Sequence, residues 1–122
     1  MSKQILIVDD DPMIRFLVQE YLSASGFQVT ACSSGSEALS VFASSPPDLV
    51  VLDMQMPEMN GLEVLARVRE LPHGESVPVL RLSANASEAR SEDGPNPDQF
   101  LEKPFQMSDL LEAVKSTVRA DH

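Results

Sequence analysis

The sequence contains one cysteine, no tryptophan and no long apolar run. Because Cys32 stands alone, the chain can form no internal disulfide and no cysteine-based zinc site, which favours a reducing, cytoplasmic location. Tyr21 and five phenylalanines are the only aromatic residues, so a platform that stacks bases or flavins is not expected. The longest apolar run near the start covers residues 5–8, which is too short for a signal peptide or a membrane span.

Basic residues are scarce as well, and their scarcity limits the classes of partner. Nine lysines and arginines stand against nineteen acidic residues, and the net charge of -10 disfavours direct contact with nucleic acid or with an anionic membrane. With 122 residues, of which 43% are hydrophobic, the chain has the length of one domain and enough apolar residues for a core without disulfides. We therefore predict that residues 1–122 form a single domain.

Short apolar runs alternate with helical patterns along the whole chain. Strand-like runs cover residues 5–8, 27–31, 49–52 and 77–82, with a short fifth strand at Leu101. Apolar residues recur at helical spacing over residues 12–24, after Ser34, and over residues 62–71 and 107–118. In the first helix, the predicted buried stripe consists of Ile14, Leu17, Val18, Tyr21 and Leu22. The alternation predicts an α/β fold in which helices cover both faces of a parallel sheet.

Two features depart from this rhythm. Apart from Pro95 and Pro97, which interrupt its second half, the segment 83–99 contains no apolar side chain larger than alanine, so a helix there is expected to be short, weakly held or irregular. Arg81 falls inside the predicted fourth strand, where an unpaired guanidinium is costly to bury. Either Arg81 meets a carboxylate, or the sheet face beside it is covered so poorly that the guanidinium reaches water. We favour the second interpretation, in which Arg81 is offered to a partner.

Polar side chains follow the predicted strands at the points where the strands end. The first strand is followed by Asp9 and Asp10, the third by Asp53, the fourth by Ser83, and the fifth leads into Lys103. Because the carboxyl ends of parallel strands meet at one edge of the sheet, where ligands bind, we expect these side chains to lie together. Three ionised carboxylates in one place repel one another, so a cation is required. Carboxylate oxygens are the ligands that Mg²⁺ or Mn²⁺ prefers.

A metal, a lysine and a hydroxyl beside an exposed carboxylate form a combination suited to phosphoryl transfer. Together they can neutralise the oxygens of a phosphoryl group while the carboxylate attacks phosphorus. The expected product is an aspartyl phosphate. A third acid, Asp11, follows Asp9 and Asp10. It precedes Pro12 and is interpreted as the N-cap of the first helix.

Four segments carry a family resemblance that extends over nearly the whole chain. They are residues 5–10 (ILIVDD), 48–62 (DLVVLDMQMPEMNGL), 78–84 (PVLRLSA) and 100–105 (FLEKPF). In this order and spacing they resemble the receiver domain of two-component response regulators, the CheY-like domains. The resemblance implies a doubly wound, flavodoxin-like sheet of five parallel strands in the order 2-1-3-4-5. It also implies a cis peptide bond between Lys103 and Pro104.

The same resemblance implies a role for each site residue. Asp53 is the phospho-acceptor, the metal ligands are Asp9, Asp10, Asp53 and the backbone carbonyl of Gln55, the phosphate contact is Lys103, and the switch residues are Ser83 and Phe100. The implied donor is a histidine kinase, a phosphotransfer protein or a small acyl phosphate. Phosphorylation is implied to alter a surface around the fourth helix, the fifth strand and the last helix. That surface would act on an effector protein or a fused output domain.

Three alternative functions are open at this point. A pseudo-receiver would keep the fold and bind partners without being phosphorylated. A phosphatase of the haloacid dehalogenase group also forms an aspartyl phosphate, but its nucleophile follows the first strand as Asp-x-Asp. A flavodoxin-like FMN binder needs hydroxyl and glycine donors after the first strand, where this chain has three aspartates. The receiver interpretation implies that the chain catalyses only its own phosphorylation and dephosphorylation and is not otherwise an enzyme.

Overall fold

The structure is a computed structural model that describes residues 3–56, 60–83 and 99–120. Five strands form one sheet: β1 (Gln4–Val8), β2 (Gln28–Cys32), β3 (Leu49–Asp53), β4 (Val79–Ser83) and β5 (Gln99–Glu102). Every neighbouring pair is parallel, and the strand order is β2-β1-β3-β4-β5. The predicted parallel sheet and its order 2-1-3-4-5 are therefore confirmed.

Four helices lie in the described part of the chain. They are α1 (Pro12–Ala24), α2 (Gly35–Ser44), α3 (Gly61–Glu70) and α4 (Met107–Ala120). The predicted N-cap of α1 is confirmed, because the Asp11 carboxylate accepts hydrogen bonds from the first turn of the helix. Ser34 caps α2 in the same way, since its hydroxyl accepts a hydrogen bond from Glu37 N. No helix among these residues combines the length and the apolar character needed to cross a membrane.

The sheet separates two apolar layers, because alternate side chains of a strand point to opposite faces. On one face Ile5 and Ile7 pack with residues of α1 and α4, including Val18, Leu22 and Leu110. On the other face Leu6 and Val8 pack with residues of α2 and α3, including Phe42 and Val64. Strands β1 and β3 are buried on both faces, apart from Gln4. These two interior strands thus support, from a packed core, the residues that follow their carboxyl ends.

Sequence pattern placed some boundaries wrongly. The second strand starts one residue later than predicted, because Gln28 pairs with Gln4 and Cys32 pairs with Val8 in the ladder with β1. Strand β4 begins at Val79 and extends through Ser83. Leu17 was expected in the core but is 44% exposed, since the apolar stripe of α1 buries Val18 and Leu22 and leaves Leu17 at its margin.

Arg81 is only 4% exposed, so the expectation that its guanidinium reaches water is wrong. Its position explains the burial: β4 lies inside the sheet, and Arg81 is in register with Leu52 of β3 on one side and Phe100 of β5 on the other. Arg81 therefore points to the same face as Leu52, towards the layer that contains α2 and α3. The short or irregular helix predicted after Ser83 falls on residues 84–98, outside the described residues.

Candidate functional site

The register of the sheet brings two of the predicted acids side by side. Val8, the last residue of β1, is in register with Leu52 of β3. The next residues along the two chains are Asp9 and Asp53, and both are buried, with 0% and 2% of their surface exposed. Two carboxyl groups thus meet at the carboxyl edge of the sheet, where parallel α/β sheets bind ligands.

Asp9 is fixed by its backbone and by one carboxylate oxygen. Its backbone N–H donates to Cys32 O at 3.1 Å, which continues the β1–β2 ladder by one residue. Its Oδ1 accepts a hydrogen bond from Asp11 N at 2.9 Å. The other oxygen, Oδ2, is buried and accepts no hydrogen bond within the described ranges. A buried carboxylate oxygen in this state is costly unless a cation compensates it.

Lys103 supplies part of that compensation. Its Nζ lies 3.3 Å from Asp53 Oδ1 and 3.6 Å from Asp9 Oδ2. Its backbone N–H donates to Ser83 O at 2.8 Å, which ties the end of β5 to the end of β4. The peptide bond between Lys103 and Pro104 is cis, as the resemblance implied. Lys103 is therefore held at the edge of the sheet, with its ammonium between the two buried acids.

Asp53 has an unusual protonation equilibrium. The pKa of Asp53 is raised to about 6 in the balance of opposing effects: burial raises it most, the hydrogen bond from Gln55 N lowers it, the nearby charge of Asp9 raises it, and Lys103 lowers it. The bond from Gln55 N to Asp53 Oδ1 measures 3.0 Å. One ammonium does not offset the burial of Asp53 beside a second carboxylate, so the ionised form is held at a cost. A further cation at this edge would relieve that cost.

Comparison with known proteins identifies the family. A model of the response regulator receiver domain matches residues 5–115. The chain belongs to the response regulator receiver domain family. Among curated proteins, the response regulator MprA of Mycobacterium bovis is 38% identical to this receiver domain over 121 residues. The match covers 98% of this chain and 52% of the relative, so the chain spans about half the length of the curated relatives it matches.

Solved structures agree with this family assignment. Chemotaxis protein CheY4 of Vibrio cholerae has a TM-score of 0.89 and 28% identity, with coverage of 96% of this chain and 99% of that chain. A response regulator structure from Chloroflexus aurantiacus has a TM-score of 0.86 and 29% identity, with coverage of 98% and 99%. The receiver fold predicted from the sequence is thereby confirmed.

Membership of the receiver family implies a site for a divalent metal ion. The acidic residues at the carboxyl edge of the sheet are suited to such an ion. Carboxylate oxygens of Asp9, Asp10 and Asp53 all lie within 4.8 Å of one another. Two of these acids are buried and Asp10 is exposed, so the cluster opens to solvent on one side. Hard oxygen donors with room for water match the preference of Mg²⁺. Asp9 Oδ2 accepts no hydrogen bond from the described residues and has the Lys103 ammonium at 3.6 Å, which is an additional reason to expect a second cation there.

For the other predicted site residues, Ser83, Gln55 and Phe100, the structure gives the position in the fold but only part of the predicted contacts. Ser83 is completely buried at the end of β4, in register with Glu102, and so lies at the same edge. The backbone N–H of Gln55 binds Asp53, while the metal-ligand role of its carbonyl stays a prediction. The backbone of Phe100 lies in β5 beside Arg81, and its side chain falls outside the described part of the chain. Its switch role likewise stays a prediction.

Sequence reasoning missed two features next to the site. One is Arg15, whose guanidinium donates to the backbone carbonyl of Asp9 at 2.9 Å. The other is an exposed apolar face on α1, where Met13, Phe16 and Leu17 are 69%, 60% and 44% exposed. The spacing of Met13, Phe16 and Leu17, at i, i+3 and i+4, is helical and marks a second apolar stripe. That spacing is the signal from which the exposed face could have been found.

Proposed function

We propose that this receiver domain accepts a phosphoryl group on Asp53. One observation carries the proposal: Asp53 is a buried carboxylate that shares an edge with two other acids and lies 3.3 Å from the ammonium of Lys103. A merely structural acid at a strand end would turn to solvent, because burial of its charge costs free energy. The free-energy cost of burying Asp53 is explained if the cluster binds a cation and a phosphoryl group.

The transfer is a displacement at phosphorus. A carboxylate oxygen of Asp53 attacks, a new O–P bond forms, and the bond between phosphorus and the donor breaks. That bond is P–N for a phosphohistidine and P–O for an acyl phosphate, and the bonding electrons leave with imidazole or carboxylate. Attack of water on the aspartyl phosphate later releases inorganic phosphate and restores Asp53. The chain thus catalyses only its own phosphorylation and dephosphorylation.

Each neighbouring residue has a distinct task in this proposal. Lys103 places its ammonium beside Asp53, where it would pair with an oxygen of the phosphoryl group. Ser83 offers a buried hydroxyl at the end of the adjacent strand, and we assign it and Phe100 the switch roles. Asp9, Asp10, Asp53 and the carbonyl of Gln55 would hold Mg²⁺ or Mn²⁺. When bound, the ion would supply positive charge to the oxygens of the transferred group.

We place the docking of the phosphodonor protein on α1, beside the site. A groove lined by Ile14, Leu17, Lys103, Pro104, Phe105 and Met107 runs along this side of the molecule. Lys103 lines the groove and pairs with Asp53, so a partner seated in the groove is next to the acceptor. The exposed Met13 and Phe16 extend the apolar surface. The occupant proposed is a histidine kinase or a histidine phosphotransfer protein.

Residues 1–122 are proposed to act as one signalling unit in the cytoplasm. The reduced thiol of Cys32 suits that compartment. Because the curated relatives are about twice as long, the output is assigned either to a separate effector or to a domain fused to this one. The altered surface is proposed to include β5 and α4. The excess of acidic residues argues against direct nucleic-acid or membrane contact by this part of the protein.

Incubation with acetyl phosphate and Mg²⁺, followed by intact mass spectrometry, tests the proposal. The expected result is a gain of about 80 Da, the mass of one phosphoryl group. The gain should disappear in Asp53→Asn and persist in Asp48→Asn, a matched substitution immediately before β3. A chain that never gains mass with acetyl phosphate, phosphoramidate or a phosphorylated kinase would be a pseudo-receiver, and the proposal would be wrong.

A further inference from the structure

Arg15 reaches from the first turn of α1 back to the loop that carries the acids. Its guanidinium is half-buried and donates to the backbone carbonyl of Asp9 at 2.9 Å. The register of β1 with β3 ends at Val8, so this carbonyl lies beyond the last pair of the sheet. A partly buried carbonyl needs a donor, and here the donor is a side chain six residues further along the chain.

With this bond, Asp9 is held at three points. The other two are the bond from its N–H to Cys32 O, at 3.1 Å, and the bond from Asp11 N to its Oδ1, at 2.9 Å. The third bond fixes the peptide plane between Asp9 and Asp10. Rotation of that plane would swing the exposed Asp10 relative to the two buried acids. The contact from Arg15 therefore bears on the geometry of the whole cluster.

We propose that Arg15 is a positioning residue that holds the Asp9–Asp10 peptide so that the three carboxylates converge on one cation. The inference rests on the proposed metal-dependent function. It assigns Arg15 no contact with the metal or with the phosphoryl group. Groups that orient metal ligands from behind commonly contribute a factor of ten or more to metal affinity.

The charge of Arg15 should weaken Mg²⁺ binding, whereas its hydrogen bond to Asp9 O should strengthen it. An effect through charge can therefore be distinguished from an effect through positioning. A guanidinium beside an acidic cluster repels an incoming Mg²⁺, so a role through charge alone predicts tighter binding when Arg15 is neutralised. A positioning role predicts weaker binding. The direction of the change in affinity therefore decides between them.

The experiment is calorimetric titration of Mg²⁺ into the unphosphorylated chain, with thermal unfolding of each variant measured in parallel. Arg15→Met keeps the aliphatic stem and removes the donor and the charge, and we expect about a tenfold loss of Mg²⁺ affinity. Arg67→Met removes the same charge from an exposed position on α3 and should leave affinity within about twofold. Arg15→Lys keeps the charge but has a shorter side chain, and should lose at least about threefold in affinity.

Equal or tighter Mg²⁺ binding by folded Arg15→Met would overturn the inference while leaving the proposed function intact. If Arg15→Met does not fold, Arg15→Lys decides, and unchanged Mg²⁺ affinity in that variant would show that the guanidinium contact with Asp9 O is not needed, which would overturn the inference. Absence of Mg²⁺ binding by the unsubstituted chain would overturn both the inference and the proposed metal site. A second readout is amide exchange at Asp11, whose N–H bonds to Asp9, and it should quicken in the Mg²⁺-free Arg15→Met chain.

Discussion

Replacement of Asp53 by asparagine should stabilise the metal-free fold. Asparagine has the same shape, and its Oδ1 can keep the hydrogen bond from Gln55 N. Because each pKa unit corresponds to about 1.4 kcal/mol, a rise in the pKa of Asp53 from 3.8 to about 6 gives ionised Asp53 a cost on the order of 3 kcal/mol in folding free energy. Asp53→Asn removes that cost, so its free energy of unfolding at pH 7 should exceed that of the unsubstituted chain by up to about this amount.

The pH dependence gives the prediction a second, independent signature. A carboxyl group whose pKa is raised on folding favours the folded state below its unfolded pKa, and this contribution is lost as pH rises through the folded pKa. The pKa of Asp53 runs from 3.8 unfolded to about 6 folded. The advantage of Asp53→Asn should therefore be near zero below pH 4, grow between pH 4 and pH 6, and be complete by about pH 7.

Urea unfolding with a metal chelator, at a series of pH values, measures the difference. Glu20→Gln, an exposed carboxylate-to-amide change on α1, is the control and should alter stability by less than about 0.5 kcal/mol. Added Mg²⁺ should cancel most of the difference at a hundred times the dissociation constant, where a ligand contributes about 2.7 kcal/mol to the chain that binds it, and should reverse the order at a thousand times, where it contributes about 4.1 kcal/mol. An Asp53→Asn chain that is no more stable than its parent without metal, or whose advantage is independent of pH, would refute the electrostatic account.

Three further substitutions test separate parts of the structure. Gly61→Ala places a Cβ onto the backbone of Met54, so urea unfolding should show a loss of about 1–3 kcal/mol; unchanged stability would contradict that close approach. Lys103→Met removes a cation that repels Mg²⁺, so calorimetry should show tighter Mg²⁺ binding. Phosphorylation by acetyl phosphate should nevertheless slow at least tenfold, and a rate equal to that of the unsubstituted chain would count against the contact of Lys103 with the phosphoryl group. Phe16→Ser should slow transfer from a histidine kinase but not from acetyl phosphate, with Leu62→Ser as the exposed control; equal slowing with both donors would argue against docking on α1.

The fold was predictable from the sequence because its signals are local and mutually consistent. Apolar runs mark β1 and β3, and Asp11 and Ser34 mark the starts of α1 and α2. Their alternation restricts the topology to a parallel sheet with helices on both faces. The order of the strands came from family resemblance, since periodicity carries no information about which strands are neighbours.

The site was predictable in its members but not in its internal contacts. Strand ends placed Asp9, Asp53 and Lys103 at one edge, and the structure brings a carboxylate oxygen of each acid within 3.6 Å of the Lys103 ammonium. The bond from Arg15 to a backbone carbonyl depends on the path of a loop, which residue types alone do not specify. Arg81 was misjudged for a related reason, because its burial depends on its place between two other strands.

Mapping the modified residue tests the central claim most directly. After incubation with acetyl phosphate in Mg²⁺ and in a chelator, peptide fragmentation should locate the added mass, about 80 Da, on Asp53 and only in the sample that contained Mg²⁺. A phosphoryl group found on Asp9 or Asp10, or equal modification in the presence of the chelator, would contradict the account of a metal-assisted acceptor at Asp53.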